Sequence, residues 1–517
     1  MKFTLSWLKE HLKTDASLDD ILYALTDLGL EVEDVVNPLD KLDDFTIGYV
    51  ADVEKHPDAD KLRVCKVNTD EGELQIICGA PNARKGIYVV VAKPGVYVPG
   101  LDITIGVGKI RGIESFGMMA SEREMELSDE HDGIIELEGS PSIGSKFVDY
   151  LKKNKPETVD PIIEIAITPN RPDALGVRGI ARDLAARGIG ELINRDTEVE
   201  IDGKFSSKLK ISIDQSTLNG CPLFVGRVIK GVKNGPSPNW LQTALRAIGL
   251  RPISLLVDIT NYYTYDRNRP LHVFDMDKVS GNLRIHQAKG GETITALDDK
   301  EYVMQKDMMV ISDDNGIESI AGIMGGLNTG CDENTVNVFV ESAYWDPTKI
   351  AITGRKLKIN SDARYRFERG VDPLFTISGC DHAVALIQKF GGGEASNLIT
   401  AGSVPDVSRS YTLDTDRVES LVGMEISAKM QIKYLTDLGF IIKGDQAYVP
   451  SWRPDILGSA DLVEEVARIA SLTKLVGVPL PRLSDGVPKP ILTPMQRREA
   501  MARRTIAALG YNECVTY

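Results

Sequence analysis

At 517 residues, with 42% hydrophobic and 26% charged residues, the chain is long enough for several hydrophobic cores and has the balance of a soluble globular protein. No apolar run approaches the ~18 residues of a membrane span, and the start, MKFTLSWLKEHLK, is too charged for a signal peptide. The net charge of −15 argues against indiscriminate nucleic-acid binding, and six cysteines with no CxxC spacing argue against a zinc site and for a reducing, cytoplasmic setting.

In chain order, Leu18, Ile21, Leu22, Leu25 and Leu28 fall at helical spacing, and Gly29 closes the run as a C-cap glycine would. The string that ends this run, LTDLG at Leu25 to Gly29, recurs at Leu435 to Gly439. Downstream of each copy lies a second shared string, RPDALG from Arg171 and RPDILG from Arg453. Two strings in the same order mark an internal duplication. LTDLG precedes RPD by 453 − 435 = 18 residues in the second copy and by 171 − 25 = 146 in the first. The first copy therefore carries an insertion of 146 − 18 = 128 residues, between about residue 36 and residue 164.

The insertion reads as all-β: IGYVADVE, LRVCKVN, LQIICGA, IYVVVAKPG and ITIGVGKIRG sit between Gly, Pro, Asn and Asp turns. Five such strands predict a small Greek-key barrel of the OB type. From Phe45 to Leu127, 10 Lys+Arg stand against 12 Asp+Glu with few aromatics, so there is no basic stripe and a purely structural barrel stays open.

Between about Ser206 and Gly393 lie the most unusual polar strings. Arg251, Thr260, Asn261 and His272 stand among apolar and aromatic residues, and SIAGIMGG, containing Gly322, is a turn where a ligand can approach the backbone. Glu341 falls inside the strand pattern VNVFVESAYW, where an acid is costly unless paired. SDARYRFERGVDP brings Ser361, Ala363, Arg364, Arg366 and Arg369, and from Lys349 to Arg369 there are 7 Lys+Arg against 2 Asp+Glu, a local positive patch. His272 has no partner Ser or Cys in a nucleophile motif, so it is either a structural histidine or, with Thr260, a residue that positions or activates water.

In the second repeat Asp461, Glu464 and Glu465 fall at i, i+3 and i+4, with Asp455 in the preceding turn. Like charges at that spacing destabilise a helix unless a cation neutralises them, and four carboxylates without a soft ligand select a hard ion such as magnesium. The equivalent positions of the first repeat are Asp173, Gly179, Arg182 and Asp183, so metal is expected in the second copy only; an acidic face gaining from the helix dipole is the other reading. Five prolines from 479 to 494 then read as a linker before a helical stretch, Arg497 to Gly510. No GxxxxGK[ST] string is present.

HPDADKLRVCKV, ICGAPNARKG and KIRGIESFGMMASERE resemble the tRNA-binding OB module, and LVDITNY, RPLHVFD, AGIMGG and ERGVDP resemble the family strings VVDVTNY, QPLHAFD, AGVMGG and ERGVDP. The whole chain is similar to the N-terminal two-thirds of the bacterial phenylalanyl-tRNA synthetase β-subunit family, with GYNECVTY resembling the opening of the family's catalytic-like module, so a truncated chain is expected. The resemblance implies an α+β, multidomain fold: an OB-type β-barrel (39–150) inserted into a duplicated small helical α/β unit. The first repeat is then 1–38 and 151–204, and the second, magnesium-binding, repeat is 399–478. Between the repeats lies a mixed α/β editing domain (205–398); a linker (479–495) and the start of the catalytic-like domain (496–517) follow.

The function implied is hydrolysis of tyrosine wrongly attached to tRNA-Phe, with His272, Thr260 and Glu341 as catalytic residues and Arg251, Asn261, Gly322, Glu341, Ser361 and Ala363 lining the pocket. Ser361 stands where many relatives have Thr. The basic patch would hold the acceptor end. Asp455, Asp461, Glu464 and Glu465 match the family's magnesium site. The implied partners are tRNA-Phe and an α subunit in a heterotetramer of two α and two β chains, with ATP bound by α and no DNA or membrane partner. A non-catalytic tRNA-binding scaffold and a free-standing deacylase are the alternatives.

Overall fold

The computed structural model describes residues 1–128, 130–194, 199–481 and 491–516. The chain is mixed α/β and divides into two compact units, Met1–Thr473 and Lys474–Tyr517. Among the described residues the second holds one α-helix, Pro494–Ala508, opened by a Thr493–Gln496 capping box. Most of the proline-rich stretch lies outside the described residues. Among the described residues no helix is long and apolar enough to cross a membrane.

The short helix Leu5–Lys9 of the first unit is followed by the longer helix Leu18–Asp27. Ser17 and Asp20 cap it reciprocally, and Gly29, at φ 81°, ends it. Beside it the short strands Lys2–Thr4, Ile162–Ile165 and Val32–Val36 form one antiparallel sheet. The chain leaves this sheet at Val36 and comes back at Ile162, its direct partner in the register. Between those two points lies a sheet in the order Met118–Met119, Tyr88–Ala92, Thr46–Lys55, Arg63–Thr69, Gly72–Cys78, with Glu136–Leu137 also paired to Tyr88–Ala92. Its far edge curls back, as Phe116 N–H donates to Gln75 O (2.8 Å) and Ile77 N–H to Ser115 Oγ (3.0 Å). The predicted fifth strand, 103–112, is instead broken into Ile103–Thr104 and a hairpin of Gly108–Ile110 with Ile113–Ser115. Gly112, at φ 90°, makes the hairpin turn, Gly106 lies in the gap between the two pieces, and Val107 and Ile110 are exposed.

Two five-stranded sheets lie farther along. One runs His272–Asp275, Asn337–Tyr344, Leu223–Lys230, Glu394–Ala395, with Ile399–Gly402 also on Leu223–Lys230. The other runs Ile211–Ile213, Leu283–Gln287, Met309–Ser312, Ile317–Ile320, Met324–Gly325. Alternation along Asn337–Tyr344 sorts its side chains. Val338 and Val340 pack with the helices Leu255–Arg267 and Phe375–Gly391, whereas Phe339 and Ala343 face the second sheet. Glu341 shares the parity of Phe339 and Ala343, so it enters the layer between the sheets.

The two repeats meet on a buried ionic network that each builds in the same way. Arg171 donates from Nε and Nη2 to both oxygens of Asp173 (2.9 and 3.0 Å) and to Asp183, twelve residues on (2.8 Å). Arg453 donates to both oxygens of Asp455 (2.9 and 2.7 Å) and to Glu465, again twelve residues on. Arg468 then joins the halves, donating to Asp183 (2.6 Å) and to Glu465 (2.8 Å). Removing one member strands its partners in a dry interior. Arg453→Met is expected to lower stability by about 3 to 5 kcal/mol in urea unfolding, against less than ~0.5 kcal/mol for the exposed Glu464→Gln.

Candidate functional site

Seven of the eight predicted pocket residues line one cavity of about 300 Å³: Thr260, Asn261, His272, Gly322, Glu341, Ser361 and Ala363. Five elements bring them together: the helix Leu255–Arg267, the adjacent strands His272–Asp275 and Asn337–Tyr344, the turn after Ile317–Ile320, and the start of the helix Asp362–Phe367. Arg251 is the exception. It is exposed in the loop before Leu255–Arg267 and outside the cavity wall, because that loop runs over the surface before the helix turns inward. The wall also holds Val257, Leu297, Met324, Cys331 and Phe367, which sequence reasoning missed since an apolar lining residue has no signature apart from core.

Glu341 and His272 form the polar centre of this site. They are directly opposite in the antiparallel register, on the same sheet face, with Gly226 opposite Glu341 on its other side. Around them the face is apolar: Phe274 stands edge-on to the His272 ring at 4.5 Å, and Phe339 and Phe224 follow. Glu341 Oε2 and His272 Nε2 are both buried and without a hydrogen-bond partner among the described residues. Burial pushes the Glu341 carboxyl up to about 8 and the His272 imidazole down to about 4. At neutral pH both groups are therefore uncharged, each with a hydrogen bond still to make.

The glycine-rich turn is shaped by these neighbours. A Cβ on Gly325 would lie 2.3 Å from His272 Cε1, and one on Gly322, which also has φ 68°, 2.7 Å from the Trp345 ring. The hydroxyls are more committed than the sequence suggested. Thr260 Oγ1 donates to Val257 O (2.8 Å), which leaves it only as an acceptor. Ser361 Oγ donates to Ile323 O (2.7 Å) and accepts from Arg364 N–H (3.1 Å), so it ties the turn to the following helix.

The charged strings have partners within the chain. In the positive patch Arg364 and Arg366 are buried, with Arg364 held by Glu368 (3.0 Å) and Arg366 lying over Tyr265 at 4.3 Å, and Arg369 pairs with Glu368 (3.0 Å). Of the patch, Arg355, Lys356 and Lys358 remain exposed. The four carboxylates expected to hold magnesium, Asp455, Asp461, Glu464 and Glu465, meet these groups of the chain itself. Arg453 takes both oxygens of Asp455, and Asp461 accepts from Leu457 and Gly458 N–H (2.7 and 2.9 Å). Arg468 takes both oxygens of Glu465 (3.1 and 2.8 Å), and only Glu464 faces solvent. Burial alone would raise Glu465; Arg468 and Arg453 more than offset it and hold the carboxyl well below its usual range. Among the described residues no cluster of three or more His, Cys, Asp or Glu is arranged to hold a metal.

The folded chain keeps the Glu341 proton up to about 8 where the unfolded chain releases it above 4.5, and it lacks the His272 proton that the unfolded chain holds up to about 6.5; the two offset below about 6.5, so stability should fall from there to about 8 and level off beyond. Urea unfolding across that range checks this, and Glu341→Gln should flatten the decline. Asp455→Asn, which loses the Arg453 pair, should lower the unfolding midpoint.

Comparison with known proteins fits this arrangement. A family model described as the B3/4 domain matches residues 220–392, the putative tRNA binding domain matches 45–146, and the tRNA synthetase B5 domain matches 411–471. The phenylalanine–tRNA ligase beta subunit of Ruegeria pomeroyi is 68% identical over 517 residues, covering 100% of this chain and 64% of that protein. That of Cereibacter sphaeroides is 58% identical over 525 residues, with the same coverage of 100% and 64%. Among solved structures, an N-terminal fragment of the phenylalanyl-tRNA synthetase beta subunit of Pyrococcus horikoshii shares 15% identity over 63% of this chain and 95% of that one at a TM-score of 0.33, too slight a likeness to carry an argument. The chain spans 64% of the length of the curated relatives it matches, and over its whole length it is similar to phenylalanine–tRNA ligase beta subunits.

Proposed function

We propose that this chain serves phenylalanine–tRNA ligase as its editing and tRNA-binding part, hydrolysing the ester of tyrosine wrongly joined to tRNA-Phe. The observation that carries the reading is the pair of unpartnered polar atoms, Glu341 Oε2 and His272 Nε2, buried in a cavity of about 300 Å³ with mostly apolar walls. A pocket for phenylalanine cannot by apolar contact alone strongly reject a ligand that merely adds a hydroxyl, so the discrimination needs a second site. In that site the neutral Glu341 carboxyl hydrogen-bonds the phenol, and phenylalanine leaves it unpaired.

The assignment of His272 narrows. A general base works best with a pKa near the working pH, and one near 4 has little pull on a proton. His272 therefore holds the attacking water by accepting its hydrogen bond, with the lone pairs of Thr260 Oγ1 beside it. Arg355, Lys356 and Lys358 are the exposed cations left to meet the RNA backbone. The region 45–146 is assigned to tRNA contact as an OB-type barrel. Aminoacylation, with its ATP, belongs to an α subunit in a tetramer of two α and two β chains in the cytoplasm, and one magnesium ion is assigned to Asp455, Asp461, Glu464 and Glu465 of the second repeat.

The test is the rate of tyrosine release from Tyr-tRNA-Phe, compared with phenylalanine release from Phe-tRNA-Phe, for the chain alone and with an α subunit. Selective release of tyrosine is expected, and Glu341→Ala should erode the selectivity by roughly 1 to 3 kcal/mol. A folded protein that releases neither amino acid in either state sinks the assignment.

A further inference from the structure

A substrate of the proposed kind has two ends, and the cavity accommodates one. A space of about 300 Å³ holds an amino-acid side chain and its ester, so the sugar and base beyond the ester oxygen have to lie outside it. Next to it is a second hollow of about 310 Å³, lined by Asn360, Ser361, Asp362, Arg364, Tyr365 and Glu368; Ser361 and Asp362 belong to both walls. Tyr365 is 41% exposed there, and the Arg369 guanidinium lies over its ring at 3.6 Å from the centroid. Arg369 is fixed in turn by donating to Tyr365 O (2.9 Å) and Glu368 Oε1 (3.0 Å). A surface aromatic ring backed by a tethered cation is ordered before any ligand arrives.

The charges in the hollow decide what it accepts. The Arg364 guanidinium is already shared among Glu368, Ile359 O (2.5 Å) and Asn360 Oδ1 (3.1 Å), and Arg369 is engaged with Glu368. Asp362 and Glu368 add two carboxylates to the wall. A phosphate placed here meets two acids and only arginines that are already paired. A neutral, planar heterocycle that stacks on an aromatic ring and donates amino N–H groups to carboxylate oxygens meets what the hollow offers.

We propose that this hollow seats the terminal nucleoside of the esterified RNA, with Tyr365 as the stacking platform for its base and Asp362 and Glu368 as acceptors for an amino group on that base. The proposal rests on the editing reading of the adjacent cavity. It explains why the cavity opens beside a polar hollow instead of directly on a basic surface, and it leaves the phosphates to cations farther out.

Two probes separate the seat from the cavity in titration calorimetry with the purified chain. L-Tyrosinamide fills the cavity alone, and 3′-deoxy-3′-(L-tyrosylamino)adenosine, a stable amide analogue, fills the cavity and the hollow. The adenosine conjugate is expected to bind about tenfold tighter than tyrosinamide. Tyr365→Ala should abolish that advantage while leaving tyrosinamide binding unchanged, and Tyr365→Phe, which keeps the ring, should retain it. Equal binding of both probes to the unmodified chain, or an advantage that survives Tyr365→Ala, overturns the nucleoside seat and leaves the cavity reading intact. Binding of neither probe overturns both.

Discussion

The arrangement of the first unit depends on a buried cluster of arginines and carboxylates. Arg171, Arg453 and Arg468 lie among Asp173, Asp183, Asp455 and Glu465, with the inner members nearly out of contact with water. Such a cluster does little for net stability compared with an apolar core of equal volume, because desolvation offsets most of the attraction. What it contributes is specificity: the bidentate fork of each arginine fits one carboxylate geometry, so sliding one repeat against the other would leave charges unpaired. The apolar faces around it, with Val177, Ile180 and Leu184 from one repeat and Leu462, Val466 and Ile469 from the other, are tolerant of small slips on their own. The ionic centre fixes the register and the apolar surround supplies the energy.

The same physics explains how the duplication hid its meaning. The four acids of the second repeat were read by sign and spacing, which does not show their partners within the chain. Two of them, Asp455 and Glu465, have acidic counterparts in the first repeat at Asp173 and Asp183, and those are the two that the RPD arginines hold in both copies. Positions that stay acidic in both repeats mark what the repeats share, which is the arginine fork. Positions that differ mark what one copy does alone: Arg182 stacks on Trp452 at 4.3 Å, and its counterpart Glu464 faces solvent. The signal was in the alignment of the repeats, not in the charge pattern of one.

Much of the rest was legible because local chemistry and tertiary packing agree. The helix Leu18–Asp27 shows its periodicity, its capping box and its terminating glycine within a dozen residues. The strand Asn337–Tyr344 reads as a strand, and Glu341 stands out in it because an acid there breaks the apolar pattern. The segment from Ile103 to Gly112 has strand-like alternation too, but its glycines make turns cheaper than a ladder, and alternation alone cannot weigh the two. Arginines between Lys349 and Arg369 misled for another reason. A guanidinium is as able to bind a carbonyl from inside as a phosphate from outside, and only the fold says which.

The cavity itself stores a cost. An unpaired carboxyl oxygen and an unpaired imidazole nitrogen, both buried, are each held at a penalty of order 1 to 3 kcal/mol. A fold retains such a penalty where something recovers it. On the editing reading a phenol and a water do so together, and the recovery differs between ligands by the one hydroxyl that distinguishes them. Neutrality is what makes the difference usable: an ionised Glu341 in this apolar face would need a cation whatever ligand was present, and its pairing would no longer depend on the phenol. The apolar neighbours Phe274, Phe339 and Phe224 therefore take part in selection by keeping Glu341 protonated, and selectivity should weaken once pH rises past the point, near 8, at which that proton is lost.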